Sequence, residues 1–429
     1  MRIVKLTKET KNNILDDLLK RSPNNYSQFE NTVNEIVSAV KSNGDTAVFS
    51  YTEKFDKWGV NKDNVKVSKE EIEAAYKDVD EKLIDVIKNA AKNIADFHEK
   101  QVQQSWISTK EDGTILGQKI TPIERVGCYA PGGKAAYPSS VLMNIIPAKV
   151  AGVSKIVLAT PAIGGTVHPV TLVAADIAGV DEIYKIGGAQ AIAAMAFGTE
   201  SVSKVDKITG PGNIFVALAK KACFGYVGID SIAGPSEILV LADETANPRF
   251  VAADLLSQAE HDELASAILI TTSEEVAQKV SYEVDGFCNV LSRKEIMLKS
   301  LENYGYILVA DSMEEAIEAA NDIASEHLEI MTKNPYEVMT KIKNAGAIFI
   351  GEYSSEPLGD YFAGPNHILP TNGTARFFSP LSVDDFVKKS SIISYSKDAL
   401  EKVHEQIEFF AKQEQLTAHA NSIFVRFEK

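Results

Sequence analysis

The chain has 429 residues, of which 45% are hydrophobic and 24% charged, and this globular composition argues against a collagen-like, disulfide-rich or disordered protein. Its 44 basic and 59 acidic side chains give a net charge of −15 without any block of Lys and Arg, so binding to nucleic acid through a basic surface is not expected. Its three cysteines form no CxxC pair and no disulfide framework, which predicts a reducing, cytoplasmic compartment. The amino terminus lacks a signal-like apolar stretch, and prolines and glycines interrupt the uncharged run over 156–175, so no membrane segment is expected.

The first hundred residues are predicted to be mostly helical, most clearly over 70–104, where apolar residues recur at helical spacing. Residues 105–125 predict two strands around a turn at 111–113. From about residue 126, short apolar strands alternate with helices, and a second alternating set begins with EILVLAD at residue 237. Such alternation predicts two α/β units, each with a parallel, helix-covered sheet.

The last part of the chain begins with a segment over 352–382 that is rich in Gly, Pro, Ser and Asn. A loop of this length inside a compact domain is usually functional or disordered, and the titratable residues in it favour function. A charged amphipathic helix is predicted over 397–413, and residues 416–427 close with a strand-like apolar run.

A candidate metal site is indicated by Gln258 and His261, which stand three apart at the end of a predicted helix and would share one helix face. An imidazole and an amide oxygen presented together can ligate a metal ion. The alternative is that His261 only caps the carboxyl end of the helix, where a positive charge is favourable.

Two further pairs predict acid–base or ligand chemistry. Glu326 and His327 are adjacent and can both titrate near neutral pH after modest shifts, although a strand-start histidine beside a solvated glutamate is the alternative. Asp360 and His367 lie seven apart on a Gly/Pro-rich loop, where they could serve a metal or a substrate, or could merely stabilise the loop through local hydrogen bonds.

A fourth pair, Glu414 and His419, lies near the carboxyl terminus. Five apart, the two residues do not share a helix face, but a bend in the chain could bring them together; the alternative is an ordinary surface histidine. Four of the seven histidines fall in these four segments, which favours one shared site for Zn²⁺ or a similar divalent ion.

Three glycine-rich segments, over 128–138, 187–194 and 208–213, each follow a predicted or possible strand and precede a helix. Such turns let backbone N–H groups approach phosphates, although each could be only a tight strand-to-helix turn. None has the GxGxxG pattern, so the usual dinucleotide fingerprint is absent. Cys128 has no neighbouring base in the sequence, and a structural thiol is favoured over a nucleophile.

Together these motifs resemble the histidinol dehydrogenase family over about residues 120–425. The stretch IDSIAGPSEILVLADETANPRFVAADLLSQAEH is similar to that family's signature almost residue for residue. The same holds, in the family's order, for CYAPGGKAAYPSSVLMNIIPAKVAGV, GGAQAIAA, ITGPGN, SEHLEI, GPNHILPT, ARFFSPLSVDDF and LTAHA. The first hundred residues add little to the resemblance.

The resemblance implies a zinc-dependent, NAD-linked enzyme that oxidises L-histidinol through L-histidinaldehyde to L-histidine, the last step of histidine biosynthesis, with one zinc ion per subunit. By position it implies zinc ligands at Gln258, His261, Asp360 and His419, and a catalytic acid–base pair at Glu326 and His327. It implies substrate contacts at Ser236, Gln258, His261, His327, Asp360, His367, Glu414 and His419. It implies NAD contacts at Tyr129, Gln190 and Asn213.

The resemblance also implies a fold of two tandem, incomplete Rossmann-like domains with small helical terminal segments, assembled as an intertwined homodimer. We expect an amino-terminal helical arm over 1–24 and a first Rossmann-like domain, formed by 25–118 and 236–375, that carries most metal and catalytic residues. We expect the NAD-contacting domain over 119–235 and a dimerisation segment with His419 over 376–429.

The chemistry of the residues agrees with this expectation. An imidazole such as His327 suits removal of the alcohol proton, and Glu326 could activate the water that the aldehyde must gain before its oxidation. Two rivals use the same residues: a zinc hydrolase, which would show no NAD dependence, and a non-catalytic two-domain protein that binds histidinol or histidine. The tandem α/β units make the hydrolase less attractive, and a binding protein would need no Glu–His pair.

Overall fold

The structure is a computed structural model that describes residues 1–21, 27–132 and 136–428. It divides into two compact units. The larger unit comprises Met1–Gln101 and Ile123–Phe386, and the smaller comprises Val102–Pro122 and Val387–Lys429. The predicted division into an arm, two Rossmann-like domains and a dimerisation segment stays a prediction.

The amino-terminal part of the larger unit consists of β1 (Arg2–Lys5), α1 (Lys8–Lys20), α2 (Ser27–Asn43), α3 (Asp45–Asp56), α4 (Lys69–Asp78) and α5 (Glu81–His98). The buried residues of α5 recur every three or four positions, from Ile84 through Ile87, Ala90 and Ile94 to His98. This spacing buries one face of a helix, so the helical prediction over 70–104 is confirmed for most of that range. The strand β1 was not predicted, because the following helix dominates the local pattern.

The first α/β set follows two strands of the smaller unit, β2 (Trp106–Thr109) and β3 (Ile115–Pro122). It consists of β4 (Arg125–Tyr129), α6 (Pro138–Ala151), β5 (Lys155–Ala159), α7 (Pro169–Ala178), β6 (Glu182–Tyr184), α8 (Gly188–Phe197), β7 (Lys207–Thr209), α9 (Ile214–Cys223) and β8 (Gly228–Ile229). Its five strands are parallel and lie in the order β6-β5-β4-β7-β8.

The second α/β set consists of β9 (Glu237–Ala242), α10 (Pro248–Ala259), β10 (Ser266–Thr271), α11 (Glu274–Cys288), α12 (Lys294–Tyr304), β11 (Gly305–Val309), α13 (Met313–Ile323), β12 (His327–Met331), α14 (Pro335–Met339), β13 (Ala347–Ile350) and α15 (Glu356–Leu358). Its strands are parallel in the order β1-β11-β10-β9-β12-β13. Every residue of β9 and β10 is buried, as expected for strands covered on both faces.

The two parallel sheets share one topology. In each set the strands run third, second, first, fourth and fifth along the sheet, which is the order of a doubly wound, Rossmann-like fold. The strand β1 is added at one edge of the second sheet. The prediction of two tandem α/β units with parallel sheets is therefore confirmed.

The smaller unit contains an antiparallel sheet in the order β14-β3-β2, formed with β14 (Val387–Ser394), and then α16 (Lys397–Glu401), α17 (His404–Gln413) and α18 (Thr417–Phe424). The predicted hairpin at 105–125 is confirmed, with Gly113 in the turn at φ +81°. The predicted strand-like end over 416–427 is wrong, because these residues form α18 and a turn despite the β-prone Ile, Phe and Val in them. No helix among the described residues is long and apolar enough to cross a bilayer.

Candidate active site

The candidate catalytic residues Glu326 and His327 and the predicted substrate contact Ser236 lie at the amino ends of two neighbouring strands. Ser236 precedes β9, while Glu326 precedes β12 and His327 begins it; the two strands pair in parallel with His327 opposite Ile238. Doubly wound folds usually bind ligands at the carboxyl ends of their strands. The second sheet therefore carries these residues at the amino ends of its strands. Its topology would favour a ligand site at the opposite, carboxyl ends.

Glu326 and His327 are both buried, at 6% and 3% exposure, and both are held by the backbone of Glu237. The Glu237 N–H donates to Glu326 Oε2 at 2.9 Å, and the Glu237 carbonyl accepts from His327 Nδ1 at 3.0 Å. The alternative interpretation, a solvated glutamate beside a structural histidine, does not fit a glutamate that is this deeply buried. The acid–base role of the pair stays a prediction.

The electrostatics of this pair follow from its burial. Burial raises the pKa of the Glu326 carboxyl to about 8, because the charged form loses its hydration. Burial lowers the pKa of His327, but the Glu326 and Asp360 carboxylates raise it by more, to about 10. Glu326 is thus a stronger base than an ordinary carboxylate when it is ionised.

The loop over 359–367 turns back on itself and brings Asp360 and His367 to the same pair. His367 Nδ1 donates to the Asp360 carbonyl at 3.1 Å, and Asp360 Oδ1 lies 3.8 Å from His327 Nε2. Asn366 anchors the loop by donating to the Met143 carbonyl of α6 at 2.7 Å. The predicted functional loop is therefore brought to the Glu–His pair.

Ser140, at the start of α6, was missed by the sequence reasoning. Its Oγ lies 3.4 Å from His367 Nε2, so the first α/β set also reaches this site. The only sequence signal was its place in the PSSVLMN motif, which by itself predicts no more than a helix start.

Gln258 and His261 are separated from each other by the end of α10. Gln258 lies in the last turn and is 1% exposed, whereas His261 lies two residues beyond Ala259, the last residue of the helix. The prediction that both share one helix face is wrong, because the helix stops before it reaches His261. The chain still keeps them close, since His261 N–H donates to the Gln258 carbonyl at 3.1 Å.

Three side chains form a group that could hold a metal ion: His261, Glu356 and Asp360 offer ligand atoms that all lie within 4.8 Å of one another. Glu356 was not predicted. It stands four residues before Asp360, in α15 and the π-helical turn Gly359–Ala363, and this spacing places both carboxylates on one side of the chain. The i, i+4 acid pair in EPLGD was the available signal.

Glu356 is held firmly in this group. Ser257 Oγ donates to Glu356 Oε2 at 2.9 Å, and the Glu356 N–H donates to Glu329 Oε1 at 2.7 Å. Burial and the neighbouring Asp360 carboxylate raise the pKa of Glu356 to about 7. A bound cation would reduce the repulsion between such crowded carboxylates and would offset the cost of burying their charges.

Two further observations indicate that these residues could bind a divalent metal ion. The buried Gln258 Oε1 has no hydrogen-bond partner, and neither has the buried His327 Nε2. Unpaired buried polar atoms are rare in folded proteins, and a bound ion, water or ligand is the usual partner of such atoms. Imidazole nitrogen and carboxylate oxygen are also ordinary zinc ligands.

A cavity of about 640 Å³ adjoins His327 and the loop. His327, Asp360 and His367 line it together with apolar side chains such as Phe349 and Leu358. A few polar groups in a mostly apolar cavity are typical of a small-molecule site.

Glu414 and His419 belong to the smaller unit. Glu414 follows α17, Gln415 has φ +62°, and His419 lies in α18, so the predicted bend between the two residues is present. Both side chains are exposed. The larger unit thus contains three of the four predicted zinc ligands.

The glycine turns lie at the carboxyl ends of strands in the first sheet and pack on Tyr129. The Tyr129 hydroxyl accepts from the Gly188 N–H at 3.1 Å. At Gly210, where φ is +117°, a Cβ would come within 2.1 Å of the Tyr129 carbonyl. Residues 133–135 of the predicted turn over 128–138 lie outside the described residues.

The other predicted NAD contacts have different environments. Gln190 is 1% exposed within α8, whereas Asn213 is exposed and caps α9, its Oδ1 accepting from the Phe215 and Val216 N–H groups at 3.1 and 3.3 Å. Cys128 is buried beside these turns, and burial raises the pKa of its thiol to about 12. That shift agrees with a structural thiol.

A doubly wound α/β fold with a buried Glu–His pair beside a group of potential metal ligands is typical of α/β enzymes. The family model described as histidinol dehydrogenase matches residues 19–427, and the chain belongs to this family. It is therefore an oxidoreductase, and its family catalyses the last step of histidine biosynthesis.

The similar proteins cover almost the whole chain. The histidinol dehydrogenase of Clostridium acetobutylicum is 58% identical over 96% of this chain and 95% of its own, and that of Bacillus subtilis is 59% identical over 92% of each. A crystal structure of histidinol dehydrogenase from Elizabethkingia anophelis has a TM-score of 0.93 and 40% identity, and the match covers 99% of this chain and 98% of that one. The family resemblance seen in the sequence is confirmed.

Proposed function

We propose that this chain oxidises L-histidinol through L-histidinaldehyde to L-histidine, with one zinc ion per subunit and two NAD reduced per turnover. The observation that carries the proposal is the buried pair of Glu326 and His327 beside the group formed by His261, Glu356 and Asp360. Gln258, His261, Asp360 and His419 would hold the zinc ion. Zinc, when bound, orients the substrate, because the imidazole and amine of histidinol are both nitrogen ligands that it accepts.

His327 takes the proton of the alcohol in the first oxidation. The Glu326 and Asp360 carboxylates hold the pKa of His327 high, and a cation held by His261, Glu356 and Asp360 would offset the charge of Asp360 and favour the neutral ring. Because Nδ1 donates to the Glu237 carbonyl, the neutral ring carries its lone pair on Nε2, which faces the Asp360 side of the cavity. The alcohol thereby loses a proton to the protein and a hydride to the cofactor, and the aldehyde results. One NAD molecule would supply the hydride acceptor for each of the two oxidations.

Glu326 serves the second oxidation. The aldehyde must first gain water, and the Glu326 carboxylate, fixed by the Glu237 N–H, takes a proton from that water as it adds to the carbonyl carbon. Loss of a second hydride from the hydrated aldehyde then yields the carboxylic acid. Ser236, His367 and Glu414 would contact the substrate.

The cofactor would bind at the glycine turns of the first sheet, with contacts from Tyr129, Gln190 and Asn213. Two features support this position. The Gly210 turn leaves no room for a Cβ against Tyr129, and the Gly188 N–H donates to the Tyr129 hydroxyl, so both glycine turns lie close to Tyr129 at the carboxyl ends of the strands.

We further propose a cytoplasmic homodimer that acts on small molecules and binds neither nucleic acid nor membranes. All three cysteines are free and buried, as expected in a reducing compartment. The smaller unit exposes large apolar side chains, among them Phe409 at 66%, Phe410 at 67% and Phe424 at 49%. Exposed apolar groups on this scale favour a covered interface.

The test is to incubate the purified protein with L-histidinol and NAD and to measure NADH and histidine. We expect two NADH per histidine, with turnover lost on chelation and restored by zinc. One NADH with accumulating aldehyde would contradict the role of Glu326. No NADH from folded, zinc-loaded protein would contradict the dehydrogenase, and the products would then separate a hydrolase from a binding protein.

A further inference from the structure

A fully buried ion pair includes Glu237, whose backbone is hydrogen-bonded to Glu326 and His327. Arg21, the residue after α1, is 1% exposed, and Glu237, the first residue of β9, is 2% exposed. Arg21 Nη2 donates to Glu237 Oε1 at 2.5 Å, and Arg21 Nη1 donates to the Leu264 carbonyl at 2.6 Å. The hydrogen bonds of Arg21 thus join the end of α1 to two segments of the second α/β set.

Burial of two opposite charges is seldom stabilising on balance, because desolvation offsets their attraction. The position of Glu237 indicates another role for the pair. Its N–H donates to Glu326 and its carbonyl accepts from His327, so the backbone of this one residue orients both members of the acid–base pair. No other residue in the described chain is hydrogen-bonded to both side chains.

The amino-terminal segment is well placed to hold Glu237. Ile14 and Leu18 of α1 are buried in a cluster with Leu239 of β9, and Tyr306 of β11 donates to Asp17 at 2.9 Å. These contacts pack α1 against the second sheet and place Arg21 beside the amino ends of its strands. A cation after the last turn of a helix is also favourable.

We infer that Arg21, acting through Glu237, is a positioning residue that sets the geometry of Glu326 and His327. The inference rests on the proposed roles of those two residues. It gives a function to an amino-terminal segment in which the sequence shows no chemical motif.

The test compares Arg21→Met and Arg21→Lys with a matched control, Arg2→Met. Arg2 is exposed, lies over the Tyr306 ring at 4.0 Å and donates to the Asn303 carbonyl, with no contact to Glu237 in the described structure. For each protein, kcat and KM for both oxidations, zinc content and Tm are measured. Rates are expressed per folded, zinc-loaded subunit.

We expect Arg21→Met to lower kcat for both oxidations by about 10- to 100-fold, as small misplacements of catalytic groups do, while KM for NAD changes less than about twofold. Arg21→Lys should recover part of kcat, because it keeps the charge, and Arg2→Met should match the wild type. A purely structural role would lower Tm and leave the rate per folded subunit unchanged. That outcome would overturn the inference.

Arg21→Met leaves the buried Glu237 carboxylate without its ion-pair partner, and this variant could fail to fold for that reason. The double variant Arg21→Met/Glu237→Gln is therefore measured as well. It carries neither charge, so we expect Tm to return towards the wild type while kcat stays at least about tenfold low. Recovery of both Tm and kcat would overturn the inference.

Glu326→Gln and His327→Asn are measured in parallel to separate the two levels of proposal. If either of these keeps wild-type turnover, the proposed function of that residue fails. If both lose turnover while folded Arg21 variants keep theirs, only the role of Arg21 fails.

Discussion

At the residue scale, the adjacent Glu326 and His327 receive opposite hydrogen bonds from one backbone residue. The Glu237 N–H donates to Oε2 of the carboxylate and the Glu237 carbonyl accepts from Nδ1 of the imidazole. The second atom of each side chain, Glu326 Oε1 or His327 Nε2, takes no part in these two bonds, and the buried Nε2 has no hydrogen-bond partner in the described structure. This arrangement supports a division of labour between two proton transfers.

The first prediction concerns that division. We expect Glu326→Gln to lower the rate of aldehyde oxidation by about 100-fold or more while affecting alcohol oxidation much less, since only the second step needs activated water. His327→Asn should slow both steps. The measurement is single-turnover NADH formation from histidinol and, separately, from histidinaldehyde. Equal losses in both steps for Glu326→Gln would refute the division.

The second prediction concerns Glu356, whose carboxylate lies in the metal-donor group and is fixed by Ser257. We expect Glu356→Gln to weaken zinc binding by about 10- to 100-fold, because a negative charge beside the ion is lost. Competition with a chromophoric chelator gives the affinity, and the visible spectrum of the cobalt-substituted protein reports the ligand set. Glu352→Gln, at an exposed site in the same segment, is the control and should bind zinc as the wild type does. Unchanged affinity and spectrum for Glu356→Gln would contradict the prediction.

At the element scale, most strands and helices follow from their own residues, and the exceptions follow from their partners. The strand β1 has four residues and pairs only with β11, three hundred residues along the chain, so nothing nearby indicates it. In α18, the β-prone residues Ile423 and Phe424 are helical, and Ala420 supplies the buried contact. Propensity is a weak guide where tertiary packing decides.

The third prediction tests an element at the edge of the first sheet. Glu182 begins β6, and its carboxylate accepts from Tyr184 Oη at 2.7 Å and pairs with Lys66 and Lys155 Nζ at 3.0 and 3.3 Å. Burial raises its pKa, but these three donors lower it by more, from 4.5 to about 2. Because the folded-state pKa is the lower one, this stabilisation is present above pH 4.5 and is lost as the pH falls towards 2.

We therefore expect Glu182→Gln to reduce the free energy of unfolding by about 1 kcal/mol at neutral pH, after allowance for solvent screening. The difference from the wild type should shrink below about pH 4. Urea unfolding at several pH values is the measurement. Glu275→Gln, which removes an exposed carboxylate paired with Lys279, serves as the control and should change stability little. A difference that is as large at pH 2 as at neutral pH would refute the assignment.

At the scale of the whole molecule, the predicted site residues are divided between two units. Gln258, His261 and Asp360 lie in the larger unit, whereas Glu414 and His419 lie on exposed helix ends of the smaller one. In the proposed homodimer, His419 of one subunit would complete the zinc site of the other subunit.

The fourth prediction follows from that proposal. His327→Asn and His419→Asn should each be inactive alone, but mixed dimers should regain activity, because one of their two sites then combines an intact larger unit with an intact His419. The two purified variants are mixed under conditions that exchange subunits, and turnover is measured with exchange monitored by mass spectrometry. Mixed dimers without activity would contradict completion of the site by the partner.

The sequence by itself determined the alternating strands and helices, and the Glu–His and Gln–His pairs were visible because their members are close in the chain. Local periodicity specifies elements, since it depends only on which face of each strand or helix is buried. Only the tertiary structure decided that Ser140 contacts His367, that Glu356 joins the metal-donor group, and that Arg21 reaches Glu237, 216 positions away. Such contacts depend on strand order and on how loops return to the sheet, and no local pattern encodes either.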